Sequence, residues 1–111
     1  MKEQHENEPV ILSSRQKKYL KGRAHDLPPF ILIGKEGITE GLIAAAALEL
    51  VRHELIKVKI GNNSGLEKNE TAEILAERTD SALVQLIGKT ILLYKKNPKR
   101  AKEERIVLPK S

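Results

Sequence analysis

Apolar positions recur along this chain with two different periods, and each change of period marks a new element. Leu20, Ala24 and Leu27 fall at i, i+4 and i+7, one stripe of a helix. Ser13 followed three residues later by Gln16 makes a capping box, so this helix is expected from Ser14 to about Asp26, where Pro28 and Pro29 stop it. Phe30 to Ile33 is an unbroken apolar run between proline and glycine, the pattern of a short strand buried on both faces. Thr39 then suits the N-cap of a second helix, with Ile38 stapled against Ile43, and that helix should reach about Glu54 with Ile43, Ala47, Leu50 and Val51 inward.

From Leu55 to Ile60 the period falls to two, with Ile56, Val58 and Ile60 on one face and Lys57 and Lys59 on the other. This predicts a half-buried strand and a sheet with an open side, whose lysines serve at least its solubility. Gly61 to Gly65 is a turn-rich loop, and Glu67 to Thr79 reads as a third helix with Ala72, Leu75, Ala76 and Thr79 inward. Ala82 to Ile87 and Thr90 to Lys96 are apolar and rich in β-branched residues, and Gly88-Lys89 between them suits a two-residue hairpin. The expected order is α-β-α-β-α-β-β, an α/β two-layer domain with helices packed against a four-stranded mixed sheet. Strand order does not follow from the pattern.

At 111 residues there is room for one domain. Residues 1–11, with Glu3, Glu6 and Glu8, are expected to form a mobile acidic tail, 12–96 the folded domain, and 97–111 a basic C-terminal tail in which Ile106 to Leu108 can dock. Twenty lysines and arginines against 15 acidic residues give a net charge of +5, which favours a polyanionic partner such as nucleic acid. There is no cysteine, the N-terminal segment is acidic where a signal peptide is basic and then apolar, and no apolar run approaches the ~20 residues of a membrane span. A cytoplasmic protein is expected, without a membrane partner.

The candidate chemistry lies where the first strand meets the second helix. Gly34-Lys35-Glu36-Gly37 joins a strand to a helix N-terminus, where unpaired N–H groups and the helix dipole favour an anion, and glycines admit a phosphate backbone closely. The same glycines can equally serve only to make the turn. Arg15, Lys17, Lys18 and Lys21 form a basic side of the first helix, which is either a solvated face or electrostatic support for binding. Phe30, Tyr19 and Tyr94 are too few aromatics for a stacking platform, so recognition is expected to be by backbone and shape, with little base readout. His5, His25 and His53 are scattered without metal-ligand spacing, and no nucleotide-binding or nucleophile motif is present, so no metal, cofactor or catalytic residue is expected.

Five blocks in order resemble a known family. They are Ser14 to Gly22 with Ala24-His25, Ile33 to Gly41, His53 to Ile60, and Val84 to Tyr94, which together are similar to stand-alone bacterial YhbY proteins. These are the simplest carriers of the CRM (chloroplast RNA splicing and ribosome maturation) domain. The resemblance covers about 12–96 and implies the fold of the C-terminal domain of translation initiation factor three. It also implies RNA binding through the GxxG loop and association with precursors of the large ribosomal subunit, without enzymatic activity. The candidate RNA contacts are Gly34, Lys35, Gly37 and Thr39, supported by Arg15, Lys17, Lys18 and Lys21, on a chain expected to be a monomer. The Glu36 side chain is left out because its charge opposes phosphate, while the N–H groups of the loop stay available. Asp80 stands where the family pattern leads one to expect glycine, at a turn Asp tolerates. The rival reading is a protein-interaction module docking on a ribosomal protein or assembly factor, and an enzyme acting on a phosphorylated substrate comes last.

Overall fold

The structure, a computed structural model, describes residues 11–110. The expected acidic tail lies outside the described residues except for Ile11, which is exposed. Helix α1 (Ser14–Ala24) starts at the capping box, with Ser13 Oγ accepting the Gln16 N–H at 3.1 Å and Gln16 Oε1 accepting the Ser13 N–H at 3.0 Å. There follow β1 (Ile31–Ile33), α2 (Glu40–His53), β2 (Leu55–Ile60), α3 (Lys68–Arg78), β3 (Ala82–Ile87) and β4 (Thr90–Tyr94). The class, the order of elements and the four-stranded mixed sheet are those expected. Asp80 takes the left-handed conformation at φ 53, as its place after α3 requires.

The strands lie in the order β1-β2-β4-β3, with β1 parallel to β2 and β4 antiparallel to both of its neighbours. Gly88, at φ 57, turns the β3–β4 hairpin, and a bulge between Leu83 and Gln85 shifts the β3 register. One face of the sheet carries Ile33, Ile56, Val58, Ile60, Ile91 and Leu93 against Ile43, Ala46 and Leu50 of α2 and Ala72, Leu75 and Ala76 of α3. The other carries Leu55, Ala82, Val84, Leu92 and Tyr94 against Leu20 and Ala24 of α1, with Leu12 alongside.

Helix α1 therefore covers the face opposite α2 and α3, and three layers replace the two expected. The cause is β4, whose residues from Ile91 to Tyr94 are all buried, so that both faces of this inner strand need cover. The open side expected of β2 is correspondingly reduced. Lys57 is partly buried and donates from Nζ to the Leu27 carbonyl in the segment after α1 at 2.7 Å and to the carbonyl of the α1 C-cap, His25, at 3.4 Å. Strand β1 was expected to be buried on both faces, but it is an edge strand with Leu32 63% exposed, because only β2 flanks it. Within α2 the inward residue is Ala46, not Ala47, and Val51 is 54% exposed; a run of four alanines leaves the helix phase undetermined.

Glu54 closes α2 in the left-handed conformation at φ 65, with its carboxylate 1% exposed. It gathers the segment after β4: Oε2 accepts the Asn97 N–H at 2.8 Å, and Oε1 accepts the Ile106 N–H at 2.9 Å and Arg100 Nη1 at 3.0 Å. Gln16 Nε2 of α1 donates to the Pro109 carbonyl at 3.0 Å, and Ile106 and Leu108 pack on the α1 side of the sheet. The basic segment is thus strapped onto the domain.

Burial and the nearby Glu54 charge push the Tyr94 phenol up to about 12. Folding favours the protonated ring, so this contribution to stability is intact below the ordinary phenol value of 10.0 and is lost as pH rises through about 12. The phenolate absorption of the wild type minus that of Tyr94→Phe is expected to titrate near 12. A midpoint near 10 would show a ring open to water.

Candidate nucleic-acid interface

The loop after β1 is a closed turn in which the Gly37 N–H donates to the Gly34 carbonyl at 3.0 Å. Its two glycines differ. Gly37 sits at φ 71, where an L side chain is strained, and its Cβ would meet Leu66 at an ordinary 3.8 Å, so conformation rather than space requires glycine. Gly34 has no such angle, and a Cβ there would meet nothing within 4 Å. Its bare backbone faces solvent without any local need for glycine.

Lys35 and Glu36 form the exposed tip of the turn, and among the described residues their N–H groups have no acceptor. Two residues on, Thr39 caps α2 by accepting the Leu42 N–H on Oγ1 at 3.0 Å, which leaves its hydroxyl proton for an acceptor outside the helix. The Glu40 and Gly41 N–H groups, at the positive end of the helix dipole, likewise have no acceptor among the described residues. The negative charge of Glu40 is offset by Arg78, whose Nη2 donates to its carboxylate at 2.7 Å. The site can thus offer donors and positive potential to an anion.

Of the α1 cations, Arg15, Lys18 and Lys21 lie three residues apart in one exposed row, whereas Lys17 is partly buried. Lys21 borders a hollow of about 260 Å³ with Lys57, Gln85, Thr90 and Leu92. Thr90 pairs with Lys59 of β2, and Lys59 pairs with Leu32 of β1. Lys59 and Leu32 in turn border a hollow of about 710 Å³ that also touches Gly34 and Lys35. A continuous surface therefore runs from Lys21 over Lys59 to the loop, on the α1 side of the sheet, across strands ~4.8 Å apart.

Lys59 is the residue that sequence reasoning missed, having assigned it to solubility. Its alternation on β2 showed it exposed, but only the pairing with β1 brings it to the hollow that Lys35 also borders. Lys89 is a second addition. Its Nζ donates to Asn62 Oδ1 at 3.2 Å, joining the β3–β4 hairpin to the loop after β2. Among the described residues no three His, Asp or Glu side chains gather as metal ligands, and no helix is long and apolar enough to cross a membrane.

The family model of the CRS1 / YhbY (CRM) domain matches residues 12–95. The chain belongs to this family. The chain is similar to the Bacillus subtilis protein YqeI, named a probable RNA-binding protein, with 41% identity over 87 residues that cover 78% of this chain and 91% of the relative. A Haemophilus influenzae protein named an RNA-binding protein is 38% identical over 101 residues, 91% of this chain and 98% of its own length. The solution structure of SAV1595 from Staphylococcus aureus superimposes with a TM-score of 0.73 at 40% identity, covering 89% of this chain and 100% of that one. The CRM domain thus accounts for both faces of the sheet described above, with the glycine loop and α1 inside the matched span.

Proposed function

We propose that this CRM domain binds structured RNA mainly through the sugar-phosphate backbone, and that large-subunit ribosomal RNA precursors are its target. The observation that carries the reading is the loop from Gly34 to Gly37, whose N–H groups lie beside Lys35 on the same surface as Lys59 and Lys21. The names of the relatives support RNA as the ligand, and the ribosomal target rests on the family resemblance. Phosphates dock on the Lys35 and Glu36 amides and the Thr39 hydroxyl, and Lys21, with Arg15, Lys17 and Lys18 behind it on α1, holds the flanking backbone. With about five phosphates contacted, affinity falls on the order of a hundredfold or more between about 50 and 200 mM salt. No catalytic step or cofactor enters this reading, and it places a monomer in the cytoplasm.

The two glycines provide the test. Gly34→Ala is expected to leave thermal stability unchanged yet weaken binding of ribosomal RNA fragments about tenfold, because the added Cβ stands only in the way of the ligand. Gly37→Ala should cost about 1 kcal/mol of stability through its backbone angle alone, and Gly37→Val more. Binding by Gly34→Ala equal to that of the wild type would remove the loop from the interface.

One observation favours the second reading, a protein-docking module. The outward side of α2 exposes Ala44, Ala45, Leu48 and Val51 together, an apolar stripe opposite its core face. An RNA-binding surface and such a face can coexist on one domain.

A further inference from the structure

The edge of β1 carries more than a backbone-binding loop needs. Leu32 is 63% exposed on the face shared with Lys59, and the open hollow of about 710 Å³ that it lines is also lined by Gly61, Asn62 and Asn63 of the loop after β2. Gly61 lets that loop lie close: its N–H donates to the Ile33 carbonyl at 2.8 Å, and a Cβ there would come within 2.7 Å of the same oxygen. Asn62 is held by Lys89 through Oδ1, which leaves its amide N–H₂ as the free donor. Asn63 is exposed, with a donor and an acceptor that no described side chain uses.

An apolar floor, two lysines at the rim and two amide side chains on the wall match the parts of one nucleotide. We infer that this hollow takes an unpaired nucleobase, with Leu32 under the ring, Asn62 and Asn63 at its polar edge, and its phosphate at Lys35 and Lys59. The inference rests on the RNA-binding reading and adds its substrate class: RNA with a bulged or looped-out nucleotide, in preference to a continuous duplex. Charge complementarity selects this occupant over an apolar peptide, because burying Leu32 under a peptide would bring two lysines to the edge of an uncharged ligand. A base keeps its own phosphate next to them. An aromatic platform is unnecessary, since an aliphatic side chain also covers a ring face, with affinity gained from buried apolar area.

The experiment compares three hairpins of equal length: fully paired, with one bulged nucleotide, and with the same bulge abasic. The wild type should bind the intact bulge about tenfold more tightly than either the abasic bulge or the paired form. Leu32→Ser, at an exposed position, should fold normally, bind the paired hairpin as the wild type does and lose the tenfold preference; Asn63→Ala should lose part of it. Equal wild-type affinity for intact and abasic bulges, both salt-dependent, would overturn the base pocket while leaving RNA binding in place. Failure of all three hairpins to bind saturably would overturn RNA binding itself, and the pocket with it.

Discussion

Replacing Lys21, Lys35 and Lys59 together by alanine is expected to weaken binding of structured RNA about hundredfold at about 50 mM salt. It should also flatten the dependence of log affinity on log salt by two to three units, about one for each phosphate no longer neutralised. These three lysines are chosen because they follow one another along a single surface, from the hollow at α1, across the β2–β4 pair, to the loop after β1. Lys21 and Lys59 are exposed and Lys35 sits at a loop tip, so the triple variant should keep its far-ultraviolet circular dichroism and melting temperature. Lys57 is excluded because its ammonium is engaged by the His25 and Leu27 carbonyls just after α1. Lys57→Ala should lose stability rather than salt dependence. A triple variant with unchanged slope would place the RNA elsewhere on the molecule.

The largest effect on stability is expected from Glu54→Ala. Removing the carboxylate leaves the Asn97 and Ile106 N–H groups without an acceptor and Arg100, only 19% exposed, without its counter-charge. Breaking a buried pair from one side costs about 3–5 kcal/mol, which for a domain of this size lowers the melting temperature by roughly 12–20 °C. Glu54→Gly separates two contributions. Glycine relieves the left-handed backbone at φ 65, so this variant should be more stable than Glu54→Ala by about 1 kcal/mol and still well below the wild type. In both, amide hydrogen exchange should accelerate at Asn97 and Ile106, because the strap loses its anchor. A loss of less than about 1 kcal/mol in Glu54→Ala would mean that water satisfies these donors without the carboxylate.

The local features of this fold were legible because their causes are local. The Ser13 capping box, the Thr39 cap, the alternation of β2 and the Gly88 hairpin each depend on residues within a few positions of one another. What was not legible depends on pairing across the chain. The place of α1 opposite the other helices follows from β4 lying between β2 and β3, which no periodicity records. Glu54 reads as the polar end of a helix until Asn97, Arg100 and Ile106 return to it from more than forty residues away. The same holds for the site. Gly34, Lys35, Gly37 and Thr39 lie within six positions of one another and their grouping was evident, whereas Lys59 and Asn62 join them only through the parallel pairing of β1 with β2 and the hydrogen bond from the Gly61 N–H to the Ile33 carbonyl. Alanines 44 to 47 illustrate a third case, in which a uniform run carries no phase and Ala46 could not be told from Ala47.

The most direct measurement follows the backbone amides themselves while a bulged ribosomal RNA hairpin is titrated into isotopically labelled protein. The Lys35 and Glu36 resonances are expected to move first and furthest, with Lys59 and Asn62 next, and raising the salt should reverse the shifts. Perturbations confined to Ala44, Ala45, Leu48 and Val51, with the turn between Gly34 and Gly37 unmoved, would contradict an RNA interface at the glycine loop.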